Sequence, residues 1–418
     1  MKMHDYIKLE MRMAELMAQQ EASGFRFDMD AAEAVRSELS TEFDTISTAL
    51  TTRFTYYPGK VFTPKRSDKK KGYYSGAPMT KLLPFNPTSR QHIAWCLTTF
   101  RGARFTKITD TGKPKVDEAT LSEIRDVALT QGNQKLHDEC ELFIRLLTLQ
   151  KWMGQLSEGT NSWFNTIEDD GCIHHSCSLA TQTSRNAHRG PNLGQVVSAP
   201  WARKLFIPHP GHVMVGCDLE GLELRALGHF LSTYDDNAFA DVVVNGDIHT
   251  TNQKLAGLES RDTAKTFIYA LVYGAGDEKI GSVVGGSRKQ GKELKQRFLD
   301  NLPTFKTLKD KVQGAAKRGY LKGIDGRKIY IRHEHAALNS LLQGGGAIVM
   351  KKALEILANR LELSTTQFKF VANIHDEWQV EVAECRANKV GQLAVQSIID
   401  AGKHFNMRCP LDGEYKIG

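Results

Sequence analysis

Residues 368–382, FKFVANIHDEWQVEV, leave a folding chain few options. Apolar residues fill both flanks of His375-Asp376-Glu377, so the segment reads as two apolar strands joined tightly at that acidic tip. Such strands need a core, and the tip cannot be buried with them unpaired. Residues 212–218, HVMVGCD, repeat the arrangement as an apolar strand ending in Asp218. A carboxylate at a strand end projects into a solvent-accessible cleft. The chain is therefore expected to build a buried sheet with Asp218 and Asp376 at its rim.

Either aspartate alone reads as an ordinary turn or cap residue. Converging, the two would hold divalent cations, and hard oxygen ligands suit Mg²⁺, which keeps waters and substrate phosphates in its shell. Two such ions about 3.5–4 Å apart can clamp an in-line phosphoryl displacement.

A second pattern lies in RDTAKTFIYALVYGAG, residues 261–276. Arg261, Lys265, Tyr269 and Tyr273 recur at four-residue steps, with no helix-breaker before Gly274. A helix turns about 100° per residue, so these side chains share one slowly spiralling face. Phe267, Ile268, Leu271 and Val272 supply the apolar sides. The stripe is either a solvated face or a site for a ligand with a polyanionic end and a flat end. A nucleoside triphosphate is such a ligand: cations hold phosphates and a phenol stacks beside base or sugar. Taken with the paired aspartates, the stripe points to nucleotidyl transfer.

The remainder divides by texture. Residues 1–52 read as helical, with Leu9, Met13, Leu16 and Met17 on one face and a break at SGFRFD, 23–28. An irregular basic stretch follows, with Lys60, Lys65, Arg66, Lys69, Lys70 and Lys71 among Tyr56, Tyr57, Tyr73 and Tyr74. It is either a solvated loop or an arm that touches DNA or a partner. Helix resumes from Ser89 to Leu156, with a loop near Asp110–Pro114. Short strands begin after Trp163. A helical block covers about 249–318, a hairpin turns at Asp325-Gly326, and another helix covers about 336–361. A last helix and a short tail, DGEYKIG, close the sequence.

The 418 residues suffice for two or more domains, and the formal charge of +7 is compatible with nucleic acid. Seven cysteines without a paired pattern point to reduced thiols inside a cell. No signal peptide or membrane-length apolar run is apparent. Cys172-Ile-His-His-Ser-Cys177 resembles a zinc knot, but it reads as a strand, where side chains alternate faces. Cys172 and His174 then point one way and His175 and Cys177 the other, so the four cannot reach one tetrahedral ion.

Together these residues resemble the A-family DNA polymerases. DLEGLELRAL (218–227) is similar to that family's first palm motif, RDTAKTFIYALVYGAG to its fingers helix, and IHDEWQVEV to its second palm motif. TSRNAHRGPNLGQV (183–196), GDIHTTNQ (246–253) and GIDGRKIYIRHEHAALNSLLQGGG (323–346) add to the ordered set, while FNPTSRQHI (85–93) and the neighbouring YYSGAPMT resemble the phage replicative branch.

The resemblance implies an α+β multidomain, right-hand polymerase, largely helical outside a palm with an antiparallel sheet. It implies a helical segment at 1–52 leading into a thumb at 53–160, with a basic insertion near 53–81. Palm would follow at 161–248 and 336–418, with fingers at 249–335. Asp218, Asp376 and the Leu219 carbonyl would bind two Mg²⁺, and Lys265 would join the aspartates as a catalytic group. Arg261, Lys265 and His249 would contact the triphosphate, Tyr269 would lie near the 3′ side of the sugar, and Tyr273 would close over the templating position. Glu223 would lie under the sugar and exclude a 2′-hydroxyl. Arg185 and Gln343 would read the minor groove at the primer end, with Asn339 and His375 also on the DNA.

The implied activity is template-directed DNA synthesis in phage replication, in the host cytoplasm, on primer–template DNA and dNTPs. Further candidate partners are a separate exonuclease polypeptide, a helicase or a processivity factor. Some phage relatives carry a larger thumb insertion that recruits thioredoxin; here that insertion looks abbreviated. Two departures stand out. Glu220 occupies a place where the family usually has serine, and no pair of acidic exonuclease motifs precedes the thumb, so no proofreading exonuclease is expected in this chain: either it is absent, or it is a separate polypeptide, or the sequence is a fragment of a longer one. A two-metal nuclease would share the aspartates but has no use for the stripe or Glu223. A non-catalytic DNA-binding derivative has no use for intact Asp218, Asp376 and Lys265.

Overall fold

The structure, a computed structural model, describes residues 4–364 and 366–418. The chain forms two compact units: residues 1–27, 167–198 and 202–418, and residues 28–166 with 199–201. Among the described residues, no helix is long and apolar enough to cross a membrane. All seven cysteines are free thiols.

The larger unit is built on the two acid-tipped segments. Strands Phe368–Ile374 and Glu377–Ala383 form the expected hairpin, and His212–Leu219 pairs antiparallel with the second of them. The terminal DGEYKIG is more than a tail. Gly413–Ile417 pairs antiparallel with the other edge of His212–Leu219, completing a four-stranded sheet. Its Glu-Tyr-Lys-Ile alternation suits an edge strand with one face covered.

Helices cover the sheet because their apolar faces match it. Leu9, Met13, Leu16 and Met17 of helix Asp5–Ser23 join one buried cluster with Val215, Cys217, Trp378, Val380 and Val382. This first helix therefore belongs to the sheet-bearing unit, and the chain enters the smaller unit at Asp28. The helix Ala387–His404 also lies on the sheet. A Cβ at Gly391 would come within 2.2 Å of the Tyr415 ring, so only glycine permits that approach. The long helix Ala337–Leu363 is buried over most of its length and carries Lys351, whose ammonium bonds both Glu10 oxygens at 2.9 and 2.7 Å. Burying that lysine requires such a partner.

A second cluster is assembled by the helices of the 249–318 block: Ile248–Ala256, Arg261–Val272, Asp277–Val283, Arg288–Asn301 and Pro303–Ala316. Ser260 caps the Arg261–Val272 helix through the Thr263 amide, and Gly274, at φ +78°, follows its end. The expected hairpin pairs Tyr320–Lys322 with Lys328–Tyr330.

The smaller unit packs Met29–Arg53, Arg90–Arg101, Glu118–Thr130 and Gln134–Met153 around Leu50, Phe54, Ile93, Leu97, Leu121, Phe143 and Leu146. Buried Glu139 is met by both arms of Arg101 at 2.7 Å, which satisfies a charge the core could not otherwise hold. The basic stretch, read as irregular, contains a strand pair, Tyr56–Phe62 with Met79–Pro84, bulged between Pro58 and Val61. Pro58 and Gly59 obscure its alternation. The strands are mostly uncovered: Val61 is 67% and Leu82 60% exposed.

Candidate active site

Asp218 is the penultimate residue of a central strand and is opposed on one side by Glu377 and on the other by Glu414. Opposed residues share a sheet face, so three carboxylates flank one another there. Asp376 occupies the adjoining turn, and its carbonyl accepts the Leu219 amide at 3.1 Å, which fixes the two acidic segments together. His375 enters that turn at φ +58°. Burial, then Asp376, Glu377 and Glu414, push the Asp218 carboxyl up to about 6. Burial and Glu223 push Asp376 up, opposed by Arg185 and His375. A cluster that resists its own ionisation in this way fits divalent cations, whose charge removes the repulsion.

Glu220 does not add to that crowd. Its carboxylate lies 3.2 Å from Arg225, and the same guanidinium bonds the Glu220 and Pro410 carbonyls. Arg225 is buried, so Glu220 serves as its counter-ion.

The stripe has the expected two-sidedness. Phe267, Ile268, Leu271 and Val272 are buried, while Arg261, Lys265 and Tyr273 are exposed and Tyr269 is half-buried. Arg261 is held bidentately by Asp247 at 2.8 and 3.1 Å, which keeps Asp247 well below the usual carboxylate range. Asp247 also caps the helix carrying His249, through the His249 and Thr250 amides. Burial, Arg261 and Lys265 push His249 down, so its imidazole is neutral. The Tyr269 ring lies 6.3 Å from both His249 and Tyr273.

Glu223 joins three segments. One of its oxygens accepts the Tyr273 hydroxyl at 2.9 Å and the Arg185 guanidinium at 3.0 Å. Burial and this carboxylate raise the Tyr273 phenol far above its ordinary range. Asn339 and Gln343 are partly exposed one turn apart on the otherwise buried start of the long helix, and Asn339 Oδ1 has no hydrogen-bond partner. Sequence reasoning missed Glu377 and Glu414 beside Asp218 and Asp247 on Arg261. Only the adjacency of Glu377 to Asp376 offered a local signal.

The family model described as DNA polymerase family A matches residues 70–418. The chain belongs to DNA polymerase family A. The DNA-directed DNA polymerase of Escherichia phage T7 is 35% identical over 493 residues, spanning 99% of this chain and 69% of the phage T7 protein. That span exceeds the 418 residues here, so the T7 protein carries residues within it that this chain lacks. The DNA-directed DNA polymerase of Escherichia phage Phieco32 is 39% identical over 285 residues, covering 60% of this chain and 45% of its own. Among solved structures, the POL domain of Pol1 from M. smegmatis, in complex with DNA primer-template and dNTP, matches with a TM-score of 0.79 at 19% identity, over 98% of this chain and 69% of that one. The α+β polymerase fold expected from the motifs is thus the fold found, and the family-A motifs supply the strands, turn and helix described above.

Proposed function

We infer that the protein is a DNA-directed DNA polymerase that adds deoxynucleotides to a primer 3′ end, acting in phage replication in the host cytoplasm. The observation that carries this reading is the meeting at Glu223 of the stripe helix, the Arg185 loop and the helix that follows Asp218. A nuclease needs the carboxylates but not that junction.

On this reading Asp218 and Asp376, with the Leu219 carbonyl, hold Mg²⁺. Cations held by these residues would supply the charge that lowers the pKa of the attacking hydroxyl and offsets that of the leaving pyrophosphate. The remaining work falls to the chain. Lys265 and neutral His249 meet the triphosphate, and Arg261 joins them by exchanging Asp247 for phosphate. Tyr269 lies against the sugar, and Tyr273 covers the template position. Arg185, Gln343, Asn339 and His375 hold the primer end. Glu223 occupies the space that a 2′-hydroxyl would need. The test is primer extension with Mg²⁺ and each dNTP singly. Growth by the templated nucleotide supports the reading. Primer shortening without dNTP dependence would favour a nuclease, and DNA binding with neither would favour a non-catalytic derivative.

Glu223→Ala should raise the ratio of ribonucleotide to deoxyribonucleotide incorporation by about tenfold or more, equivalent to ~1.4 kcal/mol of lost discrimination. It should also slow dNTP incorporation, because Tyr273 and Arg185 lose their shared partner. Single-nucleotide kinetics with an unchanged ratio would assign the gate elsewhere.

The basic hairpin is proposed to touch the DNA backbone. Lys69, Lys70 and Lys71 stand at its exposed turn, where the Lys70 and Lys71 amides bond Asp68. Replacing all three with Ala should lower the slope of log affinity against log salt by about 2–3, close to one per lost phosphate contact. Identical slopes would leave the turn as a solvated loop.

A further inference from the structure

The CIHHSC segment holds a site outside the carboxylate centre. The segment is not one alternating strand but two short ones in different sheets, Cys172–Ile173 and Ser176–Ser178, with His174 and His175 between them; Cys172 Sγ lies 3.8 Å from His209 Nε2, and His174 bonds Asp170 and the Glu21 carbonyl. His175 and Cys177 instead meet a third residue. Strands Ser176–Ser178 and Ala187–Arg189 pair antiparallel with Cys177 opposite His188. Opposed residues project from the same face, and Cys177 Sγ lies 3.4 Å from His188 Nδ1. One ligand atom each from His175, Cys177 and His188 lies within 4.8 Å of the others.

Gln20, from helix Asp5–Ser23, closes the fourth side. It is fully buried, and its amide nitrogen lies 3.1 Å from His175 Nε2 and 3.5 Å from Cys177 Sγ. The cluster does not satisfy itself. Gln20 Oε1 and His175 Nδ1 are buried without a hydrogen-bond partner, a costly state for polar atoms. Both imidazoles are buried, and a ring nitrogen of a neutral imidazole is a common metal ligand. Zn–S and Zn–N bonds of about 2.3 and 2.0 Å put tetrahedral S and N ligands about 3.5 Å apart, close to the observed Cys177–His188 separation.

We propose that His175, Cys177 and His188 bind one Zn²⁺, with Gln20 as fourth ligand after its amide turns over to present Oε1. Binding releases the Cys177 thiol proton to solvent. The ion would tie the first helix to the hairpin whose loop carries Arg185, and so steady the guanidinium that meets Glu223. Sulfur and imidazole donors set this site apart from an all-oxygen Mg²⁺ centre.

The full chain, stripped of metal, should be titrated with Co²⁺. One equivalent should produce a thiolate-to-cobalt charge-transfer band and tetrahedral d–d bands. Excess Mg²⁺ should leave them and Zn²⁺ should abolish them. Asp218→Asn should keep the band, which separates this site from the carboxylate centre. Cys177→Ser should lose the charge-transfer band, and Gln20→Ala should weaken Zn²⁺ affinity about tenfold. Should Cys177→Ser fail to fold, His188→Gln serves the same purpose through loss of the tetrahedral d–d pattern. A wild-type chain with no charge-transfer band, or a Cys177→Ser chain that retains one, overturns the proposal.

Discussion

Asp218→Asn should slow primer extension by at least about 10³-fold, a loss of ~4 kcal/mol from the transition state, with primer–template affinity within a few-fold of wild type. Asp376→Asn should behave alike. On the proposed reading, DNA affinity would rest on backbone contacts spread along a groove, whereas the chemistry would rest on these two carboxylates. Appreciable Mg²⁺-dependent extension by either variant would remove both from the metal site. A second readout needs no turnover. Burial and the neighbouring carboxylates push Asp218 up to about 6 in the fold, against about 3.9 when unfolded. Between those values the folded chain holds the extra proton, so the stability it forfeits grows as pH rises through that window and is complete above it. Metal-free Asp218→Asn should therefore melt a few degrees above wild type at pH 8, with the advantage shrinking toward pH 4. Mg²⁺ should narrow the difference at pH 8 by stabilising wild type. Equal melting temperatures at pH 8 in EDTA would mean that Asp218 carries no such repulsion.

Tyr269→Phe should discriminate against dideoxynucleotides while handling normal dNTPs almost unchanged. The half-buried ring sits between His249 and Tyr273. Burial, Glu223 and Asp376 raise its phenol, so the hydroxyl is protonated and free to act as a donor. A dideoxynucleotide lacks the 3′-hydroxyl that helps align the triphosphate, and the phenol can take that place. Without it a buried polar partner is left unmet, at a cost of about 1–3 kcal/mol, or roughly tenfold or more in rate. The measurement is the ratio of kcat/KM for dTTP and ddTTP on one template, for both proteins. Ratios agreeing within a factor of about two would return Tyr269 to packing.

The parts legible in the sequence were those with a local period. Four-residue spacing marked the stripe because the opposite, buried face of the same helix is written in Phe267, Ile268 and Leu271. Apolar runs marked the strands ending at Asp218 and Asp376. What escaped depends on partners distant in sequence. Glu414 flanks Asp218 only because a five-residue terminal strand finds the free edge of the sheet. Asp247 reaches Arg261 across 14 residues and an intervening turn. His188 reaches Cys177 through a strand pairing that neither short segment announces. The Tyr56–Pro84 ribbon was hidden because proline, glycine and lysine dilute its pattern, and little core exists to enforce one.

The single Glu223 oxygen shared by Arg185 and Tyr273 also constrains how such an enzyme can change over generations. If Glu223 is the sugar gate proposed above, a lineage moving toward ribose substrates would lose activity by trimming that side chain in isolation, because the same substitution strands a cation and a phenol contributed by two other segments. The accessible route runs through compensating replacements at 185 or 273, acquired before or together with the loss at 223. Laboratory selections for altered sugar preference from this chain should therefore recover clustered changes at these three codons, and libraries that randomise position 223 alone should yield mostly impaired clones.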